Sequence, residues 1–526
     1  MNILGKSKSA MSADPLKHAA HRRALSVLCA AVTITALSGC AVGPDYRKPD
    51  VAGAQAYTDD AWKEQAGWKP AQPSDALERG AWWEIFGDPV LDDLVKQVDV
   101  SNQSLKQAEA QYRQASALVS GARANFWPTV SASISSTRTG RYSTSGGGTV
   151  TGGTVAAGKG ITNSYQAPLS ASWEPDLWGS VRRTVEGDVA SAQASAATLA
   201  NTRLSLQATL VQTYFQLRTA DEQKRLLDDT VAAYQKALDL TQNQYNVGVA
   251  ARSDVVQAQT QLKSAQAQAI DLGVARAQYE HAIAVLVGKT PVQFSLAPQP
   301  LKIQPPAIPL ELPSVLLERR PDVAVAERQA AQANAQIGVA TAAWFPTLSL
   351  SATGGYSNSV WSQLFEAPSR YWSIGPKIAE TLFDGGARRA QTAQARAGYD
   401  AAVANYRQVS LAAFQNVEDS IAALRILEQE AQAQDEAVKL AEQSLAIALN
   451  QYRAGIVSYL NVITAQNTAY SNERSAITLL GTRLNDSVGL IKALGGGWQA
   501  TKLPDASAIN LHSQAPAPEA PAKESP

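Results

Sequence analysis

The sequence predicts a mainly helical chain that also contributes strands to a membrane β-barrel, built as two structural repeats of one unit. Three observations predict it. The chain repeats its own punctuation: Ala124-Asn125-Phe126-Trp127-Pro128-Thr129-Val130-Ser131 returns as Ala342-Ala343-Trp344-Phe345-Pro346-Thr347-Leu348-Ser349, and Gln244-Tyr245-Asn246-Val247-Gly248 returns as Gln451-Tyr452-Arg453-Ala454-Gly455. No window after residue 40 is apolar enough for a transmembrane helix, yet two pairs of segments alternate as strands do. Two long tracts, Gly179 to Lys289 and Gly386 to Leu503, contain no proline and carry a 3.5-residue apolar period. The two copies differ in length mainly between Pro128 and Gly179, where a Gly/Ser/Thr-rich stretch runs through Gly146 to Gly153. Gly179 to Gly248 and Gly385 to Gly455 differ by one residue, because a loop tolerates length change and a long rigid element does not.

The N-terminus sets the compartment. Lys6, Lys8, Lys17, Arg22 and Arg23 precede an apolar run from Ala24 to Leu37, too short to span a bilayer, so residues 1–39 read as a signal peptide. It ends in Leu37-Ser38-Gly39-Cys40, which resembles the bacterial lipoprotein box. That resemblance implies acylation of Cys40, with palmitate-type chains as the anchor, and Ala41 after it favours sorting to the outer membrane. Cys29 leaves with the signal, so no disulfide is expected. The four histidines, His18, His21, His281 and His512, are too scattered for a metal site. No phosphate loop, nucleophile elbow or paired-carboxylate site is present, so neither an enzyme nor a cofactor is expected. Formal net charge is zero with 17% charged residues, which gives no reason to expect nucleic acid.

Along the chain, residues 40–87 form a lipidated N-terminal segment and 88–290 the first repeat. Asp88-Pro89 reads as N-cap and first residue of a helix over Val90 to Ala124. Strands follow at about 129–139 and 164–178, then long helices at 180–245 and 252–288. A Pro-rich linker, 291–313, leads to the second repeat at 314–498, whose helix starts at Pro321-Asp322. Its strands are expected at about 347–356 and 371–383 and its long helices at 386–452 and 459–493. Residues 499–526 read as a disordered tail. Leu227, Val231, Tyr234, Leu238, Thr241 and Tyr245, matched by Gln434, Val438, Ala441, Leu445, Ala448 and Tyr452, give supercoiled seams with small knobs. Each tract of this length reaches roughly 100 Å as helix. Four strands cannot close a barrel, so two or three chains must combine. Phe126, Trp127, Trp173, Trp178, Trp344, Phe345, Trp372 and Phe383 crowd the strand ends as an interfacial girdle, with buried core aromatics as the alternative.

This arrangement resembles the TolC-like outer-membrane factors, specifically their lipoprotein efflux branch. The landmarks are Cys40-Ala41-Val42-Gly43-Pro44-Asp45-Tyr46, Trp82-Trp83 with Phe86-Gly87-Asp88-Pro89, Leu317-Glu318-Arg319-Arg320-Pro321-Asp322 and Leu494-Gly495-Gly496-Gly497-Trp498. The resemblance implies a homotrimer, with a twelve-stranded barrel in the outer membrane on a twelve-helix periplasmic tube of long antiparallel coiled helices. It also implies a periplasmic adaptor (membrane fusion) protein and an inner-membrane transporter as partners, and a role as exit duct of a tripartite, RND-type multidrug efflux system. The exit channel of a type I protein-secretion system is the alternative. A free-standing porin would need more strands per chain, and a coiled-coil scaffold would need none.

In that family a gate lies just after the two Tyr/Phe-x-x-Gly turns, formed by a tyrosine, an arginine and aspartates. The resemblance puts Tyr452 and Asp254 on the tyrosine and its first-repeat carboxylate partner. The second-repeat aspartates fall on Asn461 and Thr464 and one member's arginine on Val457, leaving Arg453 or Arg252 as its replacement. An Asn ring donates and accepts without titrating, so the constriction is expected to be less acidic. Asp254 also reads as an ordinary first-turn carboxylate. The turns Val247-Gly248-Val249 and Ala454-Gly455-Ile456 resemble the tips that dock adaptor hairpins, and their glycines equally suit left-handed backbone.

Overall fold

The computed structural model describes residues 41–51, 81–141, 160–306, 308 and 319–509. The signal segment, Cys40 and much of the Gly-rich loop lie outside the described residues. Helices are α1 (Pro89–Ser101), α2 (Gln103–Ala124), α3 (Ser180–Asn246), α4 (Arg252–Leu286), α5 (Pro321–Ala342), α6 (Ala387–Arg453) and α7 (Tyr459–Ala493). Strands are β1 (Thr129–Ala132), β2 (Ser135–Arg141), β3 (Gly160–Trp173), β4 (Thr347–Asn358) and β5 (Arg370–Ala379). The chain divides into two compact units. The first takes the described parts of Met1–Tyr46, Val119–Asp188 and Gln332–Tyr399, and the second those of Arg47–Leu118, Val189–Ala331 and Asp400–Pro526.

The first unit holds one antiparallel sheet in the order β1-β3-β4-β5, with β2 beyond β1 along the same edge of β3. The strand expected over 129–139 is therefore broken, and Pro168 of β3 is the reason. Ser133 donates its N–H to the Pro168 carbonyl at 3.1 Å, but proline has no N–H to return, so the ladder lapses there. On the other side of β3, Pro168 faces Gly355, where a Cβ would lie 2.4 Å from the Ala167 carbonyl oxygen and 2.7 Å from Pro168 Cα. β3 ends at Trp173 rather than 178, before Glu174-Pro175, and β5 runs over 370–379 rather than 371–383.

The register sorts the faces. Val130, Ala171, Ala352 and Ile374 share one row, and Ala132, Leu169, Gly354 and Trp372 the next. The opposite face carries Ser131, Ser170, Thr353 and Ser373, with Ser170 and Thr353 hydroxyls 3.4 Å apart. The apolar face is not a core: Trp372 is 79% and Ile374 76% exposed, and Val130, Ile134, Leu169 and Ile378 are exposed with them. No described helix is long and apolar enough to cross a membrane.

The second unit is helical around a core of Trp82, Trp83, Phe86, Leu91, Leu210, Tyr214, Phe215, Ile283, Leu484 and Ile491. Asp88 caps α1 by accepting from Val90 N at 2.9 Å and also accepts from the Tyr214 hydroxyl. The helix expected from Val90 to Ala124 is interrupted at Asn102, whose backbone is extended. Its side chain caps α2 through Leu105 N at 3.1 Å and donates to the Leu286 carbonyl at 2.8 Å, so a tertiary bond replaces helix continuity. Arg320 pairs with Asp322 at 2.7 Å and donates to the Ala493 carbonyl at 3.0 Å, stapling the start of α5 to the end of α7. The segment expected to be disordered from 499 is packed as far as 509: Gln193 donates to the Pro504 carbonyl at 3.0 Å, and Ile509 is fully buried.

A buried ionic knot fixes the linker. Asp221 accepts from Arg218 at 3.0 Å, from Arg276 at 2.8 Å and from Gln299 N at 3.2 Å. Arg218 donates to the Ala297 carbonyl at 2.9 Å, and Glu280 accepts from Leu296 N at 2.6 Å. Burial pushes the Glu280 carboxyl up, but the bonds from Leu296 N–H and Ser295 together with Arg276 more than offset it and hold the carboxyl below its usual range.

Two outcomes are expected. Gly355→Ala lowers unfolding free energy by about 1–3 kcal/mol through strain between β3 and β4. Gly354→Ala, with nothing nearer than 3.9 Å, serves as the control in denaturant melts. Asp221→Ala costs about 3–5 kcal/mol because it strands buried guanidinium. Limited proteolysis should then open the chain near Leu296 to Leu301, and an unchanged digest would contradict the latch.

Candidate functional site

The two Tyr-x-x-Gly turns fold as one motif used twice. After α3, Gly248 N donates to the Tyr245 carbonyl at 3.0 Å and Val249 N to that of Gln244 at 2.8 Å; after α6, Gly455 N donates to Tyr452 and Ile456 N to Gln451, both at 2.9 Å. These paired bonds are the Schellman pattern, which needs a left-handed residue, and Gly248 (φ 78°) and Gly455 (φ 70°) supply it. A Cβ at either would touch nothing within 4 Å, so backbone conformation alone selects glycine. The turn leaves Val247, Val249 and Ile456 each more than 70% exposed. Ala454 is exposed beside them.

Behind the turns lies a small aromatic core. Tyr452 and Tyr459 are buried with ring centroids 5.4 Å apart, packed with Ala237, Ala258 and Val462. They line a cavity of about 350 Å³ together with Leu240, Leu445 and Leu449. The Tyr452 hydroxyl lies 3.3 Å from Thr241 Oγ1, and Thr241 also donates to the Ala237 carbonyl at 2.9 Å. Farther along the seams, Tyr234 donates to Asn467 at 3.3 Å and accepts from Gln261 at 3.4 Å, while Gln434 donates to Asn472 Oδ1 at 3.1 Å. In the same cavity Glu473 is raised above the usual carboxylate range, first by burial and then by Glu442 and Asp229.

The structure brings Tyr452 and Asp254 close enough to interact electrostatically. The hydroxyl partner of Tyr452 within the chain is nevertheless Thr241. Asp254 sits half-buried in the first turn of α4. Arg252, Arg453 and Asn461 are exposed, and among the described residues neither arginine forms an ion pair with Asp254. Thr464 spends its hydroxyl on the Leu460 carbonyl at 3.0 Å. Tyr459 was not among the expected site residues. No helical period marks it in the sequence, because the turn at Gly455 separates it from Tyr452 and the pairing of the two rings is made by the turn. Among the described residues no group of three His, Cys, Asp or Glu side chains is placed to hold a metal ion.

Comparison with known proteins identifies the family and the fold. The chain matches the outer membrane efflux protein family over residues 94–289 and 312–496. It is 33% identical over 480 residues to the probable efflux pump outer membrane protein TtgC of Pseudomonas putida, covering 90% of this chain and 96% of that one. It is 31% identical to the pyoverdine export outer membrane protein OpmQ of Pseudomonas aeruginosa, with 82% and 90% covered. Among solved structures, the outer-membrane channel OprN superposes with TM-score 0.78 at 31% identity, covering 88% of this chain and 100% of that chain. The open-state MtrE outer membrane channel of Neisseria gonorrhoeae gives 0.72 at 28%, covering 88% and 99%.

Burial, and then neighbouring Tyr452, Tyr234 and Asp254, push the Tyr459 hydroxyl up to about 12. In an unfolded chain it ionises near 10. The unfolded state therefore loses its proton first, so this contribution is fully present below pH 10 and declines as pH rises toward 12. Tyr459→Phe should flatten that alkaline decline by on the order of 3 kcal/mol. Urea melts between pH 9 and 12 check it, and parallel curves for both proteins would refute the assignment.

Proposed function

This chain belongs to the outer membrane efflux protein family, and we propose that it acts as a lipid-anchored homotrimeric exit duct of a tripartite, RND-type efflux system for small organic molecules. The observation that supports this best is the sheet. Its apolar face is exposed, its Ser/Thr face is polar, and β1 and β5 end the strand order with no further partner among the described residues. In hydrocarbon an open edge is not tolerated, so β5 of one copy must meet the β1/β2 edge of the next. With β1 and β2 as one interrupted strand, each chain supplies four strand positions and three chains supply twelve, enough to close a barrel.

Acyl chains on Cys40 anchor the mature chain at the outer membrane. Tyr452 with Thr241 and Asp254, flanked by Arg453, Asn461 and Thr464, forms the periplasmic gate. The exposed apolar turns Val247-Gly248-Val249 and Ala454-Gly455-Ile456 dock the adaptor, which links the duct to an inner-membrane transporter that supplies the energy. Opening separates the helices at Gly248 and Gly455, and Tyr452 leaves its contact with Thr241.

Single-channel recording of the detergent-extracted protein, with its mass in solution, tests this. A trimer of small conductance that rises several-fold in the Tyr452→Phe, Asp254→Ala double variant is expected. A monomer, or a trimer that forms no pore, would overturn the duct. A conductance indifferent to both substitutions would remove these residues from the gate.

A further inference from the structure

Small residues leave room between three helices. Ala237 of α3 and Ala469 of α7 are buried where larger side chains would fill the space, and beside them lies the cavity of about 350 Å³ that Tyr452 and Tyr459 line. All of its walls come from α3, α6 and α7 of a single chain. Along α7, Gln466, Ala469, Tyr470 and Glu473 line it together, and their helical spacing puts them on one face. Only the methyl group of Ala469 stands between Gln466 and Glu473 on that face.

Two acceptors on this face lack a donor's compensation. Gln466 is 6% exposed, and its Oε1 is buried with no hydrogen-bond partner among the described residues, so it has lost water without return. Other polar groups of the wall are spent within the chain: Thr230 donates to the Leu226 carbonyl at 2.7 Å, Tyr234 to Asn467 at 3.3 Å, and the Tyr452 hydroxyl lies 3.3 Å from Thr241. Glu473 is half-buried, and its carboxyl is raised by burial and then by Glu442 and Asp229. A donor that carries positive charge answers both, because it can bond to Gln466 Oε1 and to the Glu473 carboxylate and offset the repulsion among the acids. Tyr234, Tyr452, Tyr459 and Tyr470 add ring faces that attract a cation, and Leu240, Leu445 and Leu449 cover an apolar body. The remaining charged residues of the wall, Asp229, Lys236 and Arg453, are exposed, where water and salt screen them, and Asp229 already pairs with Arg225 at 3.2 Å.

We propose that this cavity binds an amphipathic organic ammonium, with its apolar body among the tyrosines and leucines and its N–H donors on Gln466 Oε1 and Glu473. Bound there, the ammonium ties α3 to α6 and α7 through the wall that contains Tyr452, and so opposes the separation of these helices. That second step rests on the gate proposed above; the binding itself does not.

Fluorine NMR of a ring-fluorinated phenethylamine, added at neutral pH to the detergent-extracted full-length protein, tests the binding. The expected result is a broadened signal that unlabelled phenethylamine restores. Affinity should fall about tenfold in Glu473→Gln and in Gln466→Leu, and the equally shaped but uncharged fluorinated phenylethanol should bind about tenfold more weakly than the amine. Ala469→Phe, which fills the cavity, should abolish binding; Glu473→Gln preserves side-chain shape and carries the test if Ala469→Phe does not fold. Equal broadening by wild type and every folded variant places the amine in the micelle or elsewhere on the chain and overturns the site. Phenylethanol binding as tightly as the amine, with Glu473→Gln indifferent, overturns the ammonium assignment. Single-channel recording separates the second step: saturating phenethylamine should lower the frequency of opening several-fold in wild type and leave Glu473→Gln unchanged. Binding with an unchanged opening frequency overturns the tie between the helices, and binding by a protein that forms no pore overturns the duct while the site stands.

Discussion

An uncovered apolar sheet constrains everything around it. In water a face carrying Val130, Leu169, Trp372 and Ile374 would need helices packed on it, and at the edge β1 and β5 would present unpaired backbone groups. In a bilayer the same face is favourable, but the edges become far more costly, because hydrocarbon offers no hydrogen bonds. Assembly with further copies satisfies both demands at once. The Ser/Thr face turned the other way then lines water, and its hydroxyls bond to one another and to strand carbonyls, as Thr347 does to Ala379 at 3.3 Å.

The sheet pays little attention to local propensity. Pro168 sits in a central strand, where it removes a ladder bond, and the structure accommodates it by breaking the facing strand at Ser133 and Ile134 and placing Gly355 opposite. In the second unit, Arg218 and Asp221 are buried, with Arg276 and Glu280 half-buried beside them, at a site where a hydrophobic core would have been simpler. They bind backbone atoms of Leu296, Ala297 and Gln299, which an apolar core has no means of holding. The ionic groups fix a segment that has no helix or strand of its own.

The repeat was legible from sequence because it is written in residues with steric consequences, the Trp/Phe-Pro-Thr ends of the helices and the glycines of the turns. The long helices followed from missing proline and a heptad step, and the strands from alternation. The breaks at Asn102 and Ser133 were not legible, since each is caused by a partner distant in the chain, Leu286 and Pro168 respectively. For the same reason the order of residues 499–509 was missed: Ile509 and the Gln193 bond are tertiary facts in a Pro-rich composition. At the candidate site, the resemblance points to Tyr452 and Asp254, whose proximity the structure shows, and the sequence offers Thr241 only as a seam position. That Thr241 takes the Tyr452 hydroxyl depends on how α3 and α6 face each other, which no local pattern encodes.

The two copies share a backbone at their turns and differ in the side chains that follow. Both turns make the same pair of hydrogen bonds around a left-handed glycine, and both following helices begin four residues later, at Arg252 and at Tyr459. The backbone therefore asks the same of each copy. Yet the first copy places Arg252 and Asp254 where the second places Tyr459 and Asn461, so one copy is charged and the other neutral, with an aromatic buried against Tyr452. Folding of the turn cannot select that difference, because Ala251 and Ser458 start their helices equally well without a side-chain cap. What distinguishes the copies is the surroundings of the side chains beyond the turn: the second buries Tyr452 against Tyr459, and the first keeps a carboxylate half-buried beside it. For the gate proposed above the two features would be complementary, an apolar contact that favours the closed arrangement and a hydratable charge that gains solvent when the contact parts.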